Sequence, residues 1–156
     1  MSRRNISKKH FSKPDLIYNS YLISLLINRI LKSGKKTLAH KLIQKTFNII
    51  KLRTKQEPLF VLEKAILNSS PLIKITAKNV KGTTYQVPVQ LNSFKATNLS
   101  LRWIIKSARE RFGRTMAIKL ANELIDASKG IGNSIKKKEE THRIAKSNKA
   151  FAHYRY

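Results

Sequence analysis

Catalysis in this chain would have to come from four histidines and eight carboxylates, since it has no cysteine. His10, His40, His142 and His153 include no pair four residues apart, so the spacing that sets two imidazoles on one helical face for zinc is missing. Each histidine reads better as a surface or ring-stacking residue than as a ligand. Among the carboxylates, Glu123 and Asp126 stand three apart and Glu139 adjoins Glu140. Neighbouring Lys and Arg make ion pairing a better account of these acids than proton transfer. The missing thiols remove disulfides, thiolate nucleophiles and Cys-ligated metals. Neither GxxxxGK[ST] nor GxGxxG occurs, so no loop cradles a nucleotide phosphate. The residues therefore predict no enzyme, no cofactor and no metal. A ribonuclease or RNA-modifying enzyme, the rival class, would need a paired base and acid or a cofactor site.

What the chain does carry is charge. Thirty-three Lys and Arg against 8 Asp and Glu give a formal net charge of +25 over 156 residues. A compact body of that charge repels itself unless polyanions or counterions surround it. One basic run is usually a solvated face, but this excess extends from Arg3 to Arg155. No apolar run approaches the roughly 20 residues that span a bilayer. The opening MSRRNISKKHFSKPD lacks the apolar centre of a secretory signal and reads as a basic arm. Lys exceeds Arg, and Ile and Asn are frequent, as in A/T-rich genomes, of which plastid genomes are one class and many bacterial genomes another.

The elements that must position this charge follow from periodicity. The expectation is one domain over 1–156, mainly α, with about six helices and a protruding two-stranded hairpin between the third and fourth. Residues 1–15 form the basic arm. A helix over about 20–32 is stopped by Ser33-Gly34. In the next, over about 36–52, Ala39, Leu42, Ile43, Thr46, Phe47 and Ile50 share one face. Pro58 suits the first turn of a third. The period then becomes two over 72–91. Ile73, Ile75 and Ala77 alternate with Lys74, Thr76 and Lys78; beyond Lys81-Gly82, Tyr85, Val87, Val89 and Leu91 alternate with polar residues and Pro88. Pro88 requires a free edge on its strand. Such a hairpin could enter a nucleic-acid groove or be an ordinary surface hairpin.

From about 97 the helical period returns, with Leu101, Ile104, Ile105 and Ala108 inward and Arg102, Lys106 and Arg109 as a basic stripe. Thr115 suits the N-cap of a helix lined by Ala117, Leu120, Ala121, Leu124 and Ser128, which Gly130 and Gly132 end. Residues 134–156 are a C-terminal helix and an aromatic, basic tail. Lys136, Lys137 and Lys138 fall in its first turn, where the helix dipole disfavours cations, and external phosphate would relieve the conflict. Glu139 and Glu140 soften that argument. Basic elements pointing in many directions suit folded RNA better than one DNA duplex face, although a helix-turn-helix nucleoid protein fits the pattern too. Aromatics lie among the cations, at Trp103 and in Phe151-Ala152-His153-Tyr154-Arg155-Tyr156. Trp103 is expected in the core, and the terminal rings against RNA or a neighbouring protein.

Ordered strings along the chain then point to a family. They are Ser2-Arg3-Arg4, Gly34-Lys35-Lys36, Gly82-Thr83-Thr84-Tyr85-Gln86-Val87-Pro88-Val89 and Arg102-Trp103-Ile104. Ala108-Arg109, Met116-Ala117 and Leu120-Ala121-Asn122-Glu123-Leu124 follow, then Lys136-Lys137 with Glu139, His142, Arg143 and Ala145, and finally Asn148-Lys149-Ala150-Phe151-Ala152-His153-Tyr154-Arg155. Over nearly its whole length the chain resembles small-subunit ribosomal protein seven in its bacterial and organellar (plastid-like) form. The resemblance implies a structural constituent that binds the 3′ major domain of small-subunit rRNA and nucleates assembly of the subunit head. It implies a position near the exit-site tRNA and the mRNA path, with ribosomal protein eleven among its neighbours and no membrane contact. Bacterial members can also repress their own message.

Carried over by position, the rRNA contacts are Arg3, Arg4, Lys8, Lys35, Lys36, Lys78, Arg102, Arg109, Arg114 and Lys136, with Lys81, Tyr85 and Arg143 near tRNA or mRNA. The implied setting is the ribosome of a plastid (chloroplast) stroma, with a bacterial cytoplasm or mitochondrial matrix as the alternative. The chain departs from the family where Lys78-Asn79-Val80-Lys81-Gly82 replaces an Arg pair before a double-Gly turn. Lysine lacks the guanidinium fork, which puts bidentate contacts there in doubt. Phe112-Gly113-Arg114-Thr115 replaces a more polar turn, and Tyr156 stands where Trp is common.

Overall fold

The computed structural model describes residues 13–80 and 82–155. Arg3, Arg4, Lys8 and Lys81 of the expected contacts lie outside the described residues, as does Tyr156. The elements are α1 (Tyr21–Ile30), α2 (Lys36–Thr54), α3 (Pro58–Ser69), β1 (Ile73–Val80), β2 (Thr83–Gln90), α4 (Ser93–Glu110), α5 (Met116–Ser128), α6 (Asn133–Ser147) and a 3-10 segment, Asn148–Arg155. This is the expected mainly helical chain with a hairpin between the third and fourth helices.

Local chemistry explains most boundaries. Pro58 opens α3, where its missing N–H costs nothing. The Thr115 side chain accepts the Ile118 N–H at the start of α5. Lys55, in the left-handed region at φ 54°, ends α2. Helix α1 stops earlier than expected: it caps at Leu31, whose N–H reaches the Ile27 carbonyl, and Ser33-Gly34 form the turn beyond it. Helix α4 begins at Ser93, four residues before the periodicity shows it, because that first turn is exposed apart from Ala96 and carries little apolar signal.

Helix α5 is central and packs against α2, α3 and α4. Leu120, Ala121 and Leu124 of α5 meet Ile43, Phe47 and Ile50 of α2, Leu62 and Ala65 of α3, and Leu101 and Ile104 of α4 in one core. Each fully buried Leu, Ile or Phe contributes about 1.5–3 kcal/mol relative to exposure. The expected α2 face is buried except Leu42, which is half-buried. On α5 the last inward residue is Ala127, not Ser128.

The register of the ribbon sets which side chains share a face. Strands β1 and β2 are antiparallel, with Val80 opposite Thr83 across a two-residue turn, Lys78 opposite Tyr85, Thr76 opposite Val87 and Ile75 opposite Pro88. Directly opposed residues share a face. Tyr85, Val87 and Val89 therefore lie with Lys78, Thr76 and Lys74, while Ile73 and Ile75 lie on the other side. The two apolar stripes are on opposite faces, and Val87 is the ribbon's one fully buried residue among those described. Gly82, at φ +86°, supplies the turn conformation that other residues rarely adopt. As Pro88 requires, no third strand pairs with β2 among the described residues; the 3-10 segment packs along it instead.

Candidate nucleic-acid interface

The position of α6 depends on one buried acid. Glu123 of α5 is 0% exposed. Its Oε1 accepts the Ser134 N–H at 3.2 Å and the Ser134 hydroxyl at 2.7 Å, and Oε2 accepts Arg111 Nε at 2.5 Å. Arg111 Nη2 also pairs with Asp126 at 2.6 Å. Partial burial works to lower the Arg111 pKa, but the bonds and charges of Glu123 and Asp126 outweigh it and raise the pKa above the ordinary guanidinium value. Glu123 thus caps the N-terminus of α6 from another helix. A Cβ on Gly132 would lie 3.3 Å from Glu123 Oε1, and the Gly132 φ of +121° already favours glycine.

This corrects the expectation for the three lysines. Helix α6 starts at Asn133, so its first turn is Asn133–Lys136, and the Glu123 carboxylate sits where external phosphate was expected to act. Lys137 pairs with Glu140 at 2.8 Å. Lys138 donates to the Asn68 carbonyl at 2.6 Å, at the negative end of α3. Lys136 remains exposed.

The α4 stripe opens into three separate grooves. Arg102 lines one of about 350 Å³ with Arg29, Lys74, Phe94, Lys95 and Asn98. Arg29 is held there by a 2.8 Å bond to Asn98. Arg109 lines a second, of about 470 Å³, with Lys32, Lys35, Leu38 and Met116. Lys106 lines a third between α4 and α6, also about 470 Å³, with Trp103, Lys136, Lys137 and Arg143. The structure thus brings Lys35 together with Arg109, and Lys136 with Arg143. It sets Arg102 apart with other cations. Lys36 and Arg114 are exposed and line none of these grooves, and Lys78 lies beside Tyr85 on the ribbon. Arg29, Lys32, Lys74, Lys95, Lys106 and Lys137 are groove cations absent from the carried-over set. Lys74, Lys106 and Lys137 were visible in the strand alternation, the stripe and the lysine run, whereas Arg29, Lys32 and Lys95 carry no local signal. Trp103, expected in the core, is half-buried at the rim of the third groove.

The terminal aromatics also have an internal partner. Tyr85 lies 5.1 Å from Phe151 and 5.2 Å from Tyr154 between ring centroids. Asn148 Nδ2 donates to Gln86 Oε1 at 3.2 Å. Phe151 and Tyr154 thus close on the ribbon within the chain itself, while His153 stays exposed against Tyr154 at 3.9 Å.

At the ribbon's root, the Leu72 N–H donates to His142 Nε2 at 3.2 Å, which requires an unprotonated nitrogen. Burial, then Lys138 and Lys146, lowers the His142 pKa below 6.5. A histidine depressed on folding contributes stability present above its unfolded pKa and lost as pH falls from that value through the folded one. The stability advantage of wild type over His142→Gln is therefore expected to shrink as pH drops below about 6.5. Urea titrations at pH 8, 6.5 and 5 check this, and a constant difference would count against it.

Among the described residues no group of three or more His, Asp or Glu is placed to hold a metal, and no helix is long and apolar enough to cross a membrane. A family model described as ribosomal protein S7p/S5e matches residues 2–149. The chain belongs to that family. The S7p/S5e family is structural and non-enzymatic. The chain is 61% identical over 144 residues to small ribosomal subunit protein uS7c of Trieres chinensis, covering 92% of this chain and 91% of the relative. It is 51% identical over 156 residues to small ribosomal subunit protein uS7 of Gloeothece citriformis, and 52% over 156 residues to uS7 of Microcystis aeruginosa, across the full length of each.

Proposed function

We propose that this chain is an rRNA-binding structural constituent of the small ribosomal subunit. It binds the 3′ major domain of small-subunit rRNA, nucleates the subunit head and lies beside the exit-site tRNA and the mRNA path, with ribosomal protein eleven as a neighbour. The observation that carries this reading is a net charge of +25 on a member of the S7p/S5e family, with exposed cations distributed over separate grooves. A surface that is basic in several directions suits a polyanion that surrounds it, and counterion release then supplies affinity. The rRNA contacts are Arg3, Arg4, Lys8, Lys35, Lys36, Lys78, Arg102, Arg109, Arg114 and Lys136. Lys81, Tyr85 and Arg143 face tRNA or mRNA. A plastid ribosome is favoured by the higher identity to the uS7c relative than to the two cyanobacterial uS7 proteins.

Crosslinking in cells followed by sequencing of the bound nucleic acid tests the proposal. Small-subunit rRNA is expected, and predominant DNA would favour a nucleoid role instead. Removal of residues 2–13 is expected to weaken rRNA binding about tenfold or more at moderate salt, because it deletes several phosphate partners. The helical circular dichroism signal should persist. Unchanged affinity at fixed salt would exclude the arm as a contact.

A further inference from the structure

We propose that the groove between α4 and α6 seats an unpaired nucleotide of single-stranded RNA, its base against Trp103 and its phosphates on Lys106, Lys136 and Arg143. The proposal rests on the rRNA-binding reading above and names a site within it. Trp103 is half-buried, so part of its indole is fixed by packing and the rest faces a cleft of about 470 Å³. A fixed aromatic surface accepts any base by stacking. Lys106, Lys136 and Arg143 line the same cleft, are exposed, and form no salt bridge among the described residues. The acids on the cleft are Glu110 and Glu140. Lys137 pairs with Glu140 at 2.8 Å and offsets its charge; the Lys137 bond and charge, and then Arg143, lower the Glu140 pKa and keep it ionised. The cleft therefore combines a ring, a cationic rim and a volume suited to a base. A duplex buries its base faces in its own stack and cannot offer one here. An apolar protein segment would leave the three cations without counter-charge.

Trp103 is the only tryptophan, so its fluorescence reports on the cleft alone. The full chain is titrated at low salt with a single-stranded ten-nucleotide oligoadenylate, and separately with duplex RNA of equal length. Saturable quenching by the single strand, and much less by the duplex, is expected. Lys106→Glu with Arg143→Glu retains the reporter and should shift the midpoint at least tenfold. Trp103→Ala, followed by anisotropy of labelled oligoadenylate, should weaken binding by about tenfold, within the range of base–aromatic stacking. If Trp103→Ala fails to fold, the double charge variant alone decides. Absent quenching, equal quenching by duplex, or an unshifted midpoint in the charge variant overturns the proposal. A 3′-domain rRNA fragment is titrated in parallel. If it binds wild type while the oligonucleotide does not quench, the groove assignment fails and the rRNA reading stands. If the fragment itself does not bind, the rRNA reading fails.

Discussion

Replacing Glu123 with alanine is expected to destabilise the protein by roughly 3–5 kcal/mol, the range for breaking a buried ion pair by removing one partner. The side chain is fully enclosed and receives three hydrogen bonds, from Arg111 Nε, the Ser134 N–H and the Ser134 hydroxyl. Alanine would leave Arg111 with Asp126 only and would orphan a donor at the buried start of α6. Glu123→Gln keeps the shape but turns an NH2 toward one of these donors, so an intermediate loss is expected. Urea unfolding measures both. The midpoint should fall with little change in slope, since the surface exposed on unfolding is nearly the same. Native-state hydrogen exchange should show α6 opening before α2 or α5. A loss below about 1 kcal/mol for alanine would mean that water replaces the carboxylate and that the cap has little energetic weight.

Affinity for the rRNA site is expected to fall about 10³–10⁵-fold between 50 and 200 mM salt, as for proteins that neutralise 6–10 phosphates. About eight contacts correspond to a log–log slope near −7 on duplex-like RNA. Single substitutions then separate cations that face outward from those used internally. Lys35→Ala and Arg109→Ala, which line one groove, should each reduce the steepness by about one. Lys138→Met should leave the slope unchanged, because that ammonium is bound to the Asn68 carbonyl at 2.6 Å. Filter binding at several salt concentrations gives all of these slopes. A flat titration would remove phosphate neutralisation as the source of affinity, and an equal effect from Lys138 would undo the distinction between the two groups.

The outline of the fold was legible because it rests on local signals. The α2 stripe from Ala39 to Ile50, the period change at Ile73, Pro58 and the Thr115 cap all act within a few residues. What escaped depends on pairing between distant positions. The lysines at the start of α6 suggested unmet positive charge, yet the compensating carboxylate lies at Glu123, on the preceding helix. Strand alternation marked Ile73, Ile75, Tyr85 and Val87 as apolar but could not say whether they share a face. The two-residue turn sets the register and puts them on opposite sides. The grooves are of the same kind: Arg102, Lys106 and Arg109 look like one stripe, but α1, α6 and the Lys32–Lys35 turn divide it into three clefts. The terminal rings were recognised as needing cover, and Tyr85 supplies it.

The closure of Phe151 and Tyr154 on Tyr85 also imposes an order in time. The ribbon is synthesised about sixty residues before the segment that braces it, a delay of several seconds at ~5–20 residues per second. Until then a nascent chain presents Tyr85 bare on a pair of strands too small to hold its shape in water. Translation that stalls before Asn148 would therefore release a product whose helices can pack but whose ribbon has lost its brace, so this part of the molecule matures last.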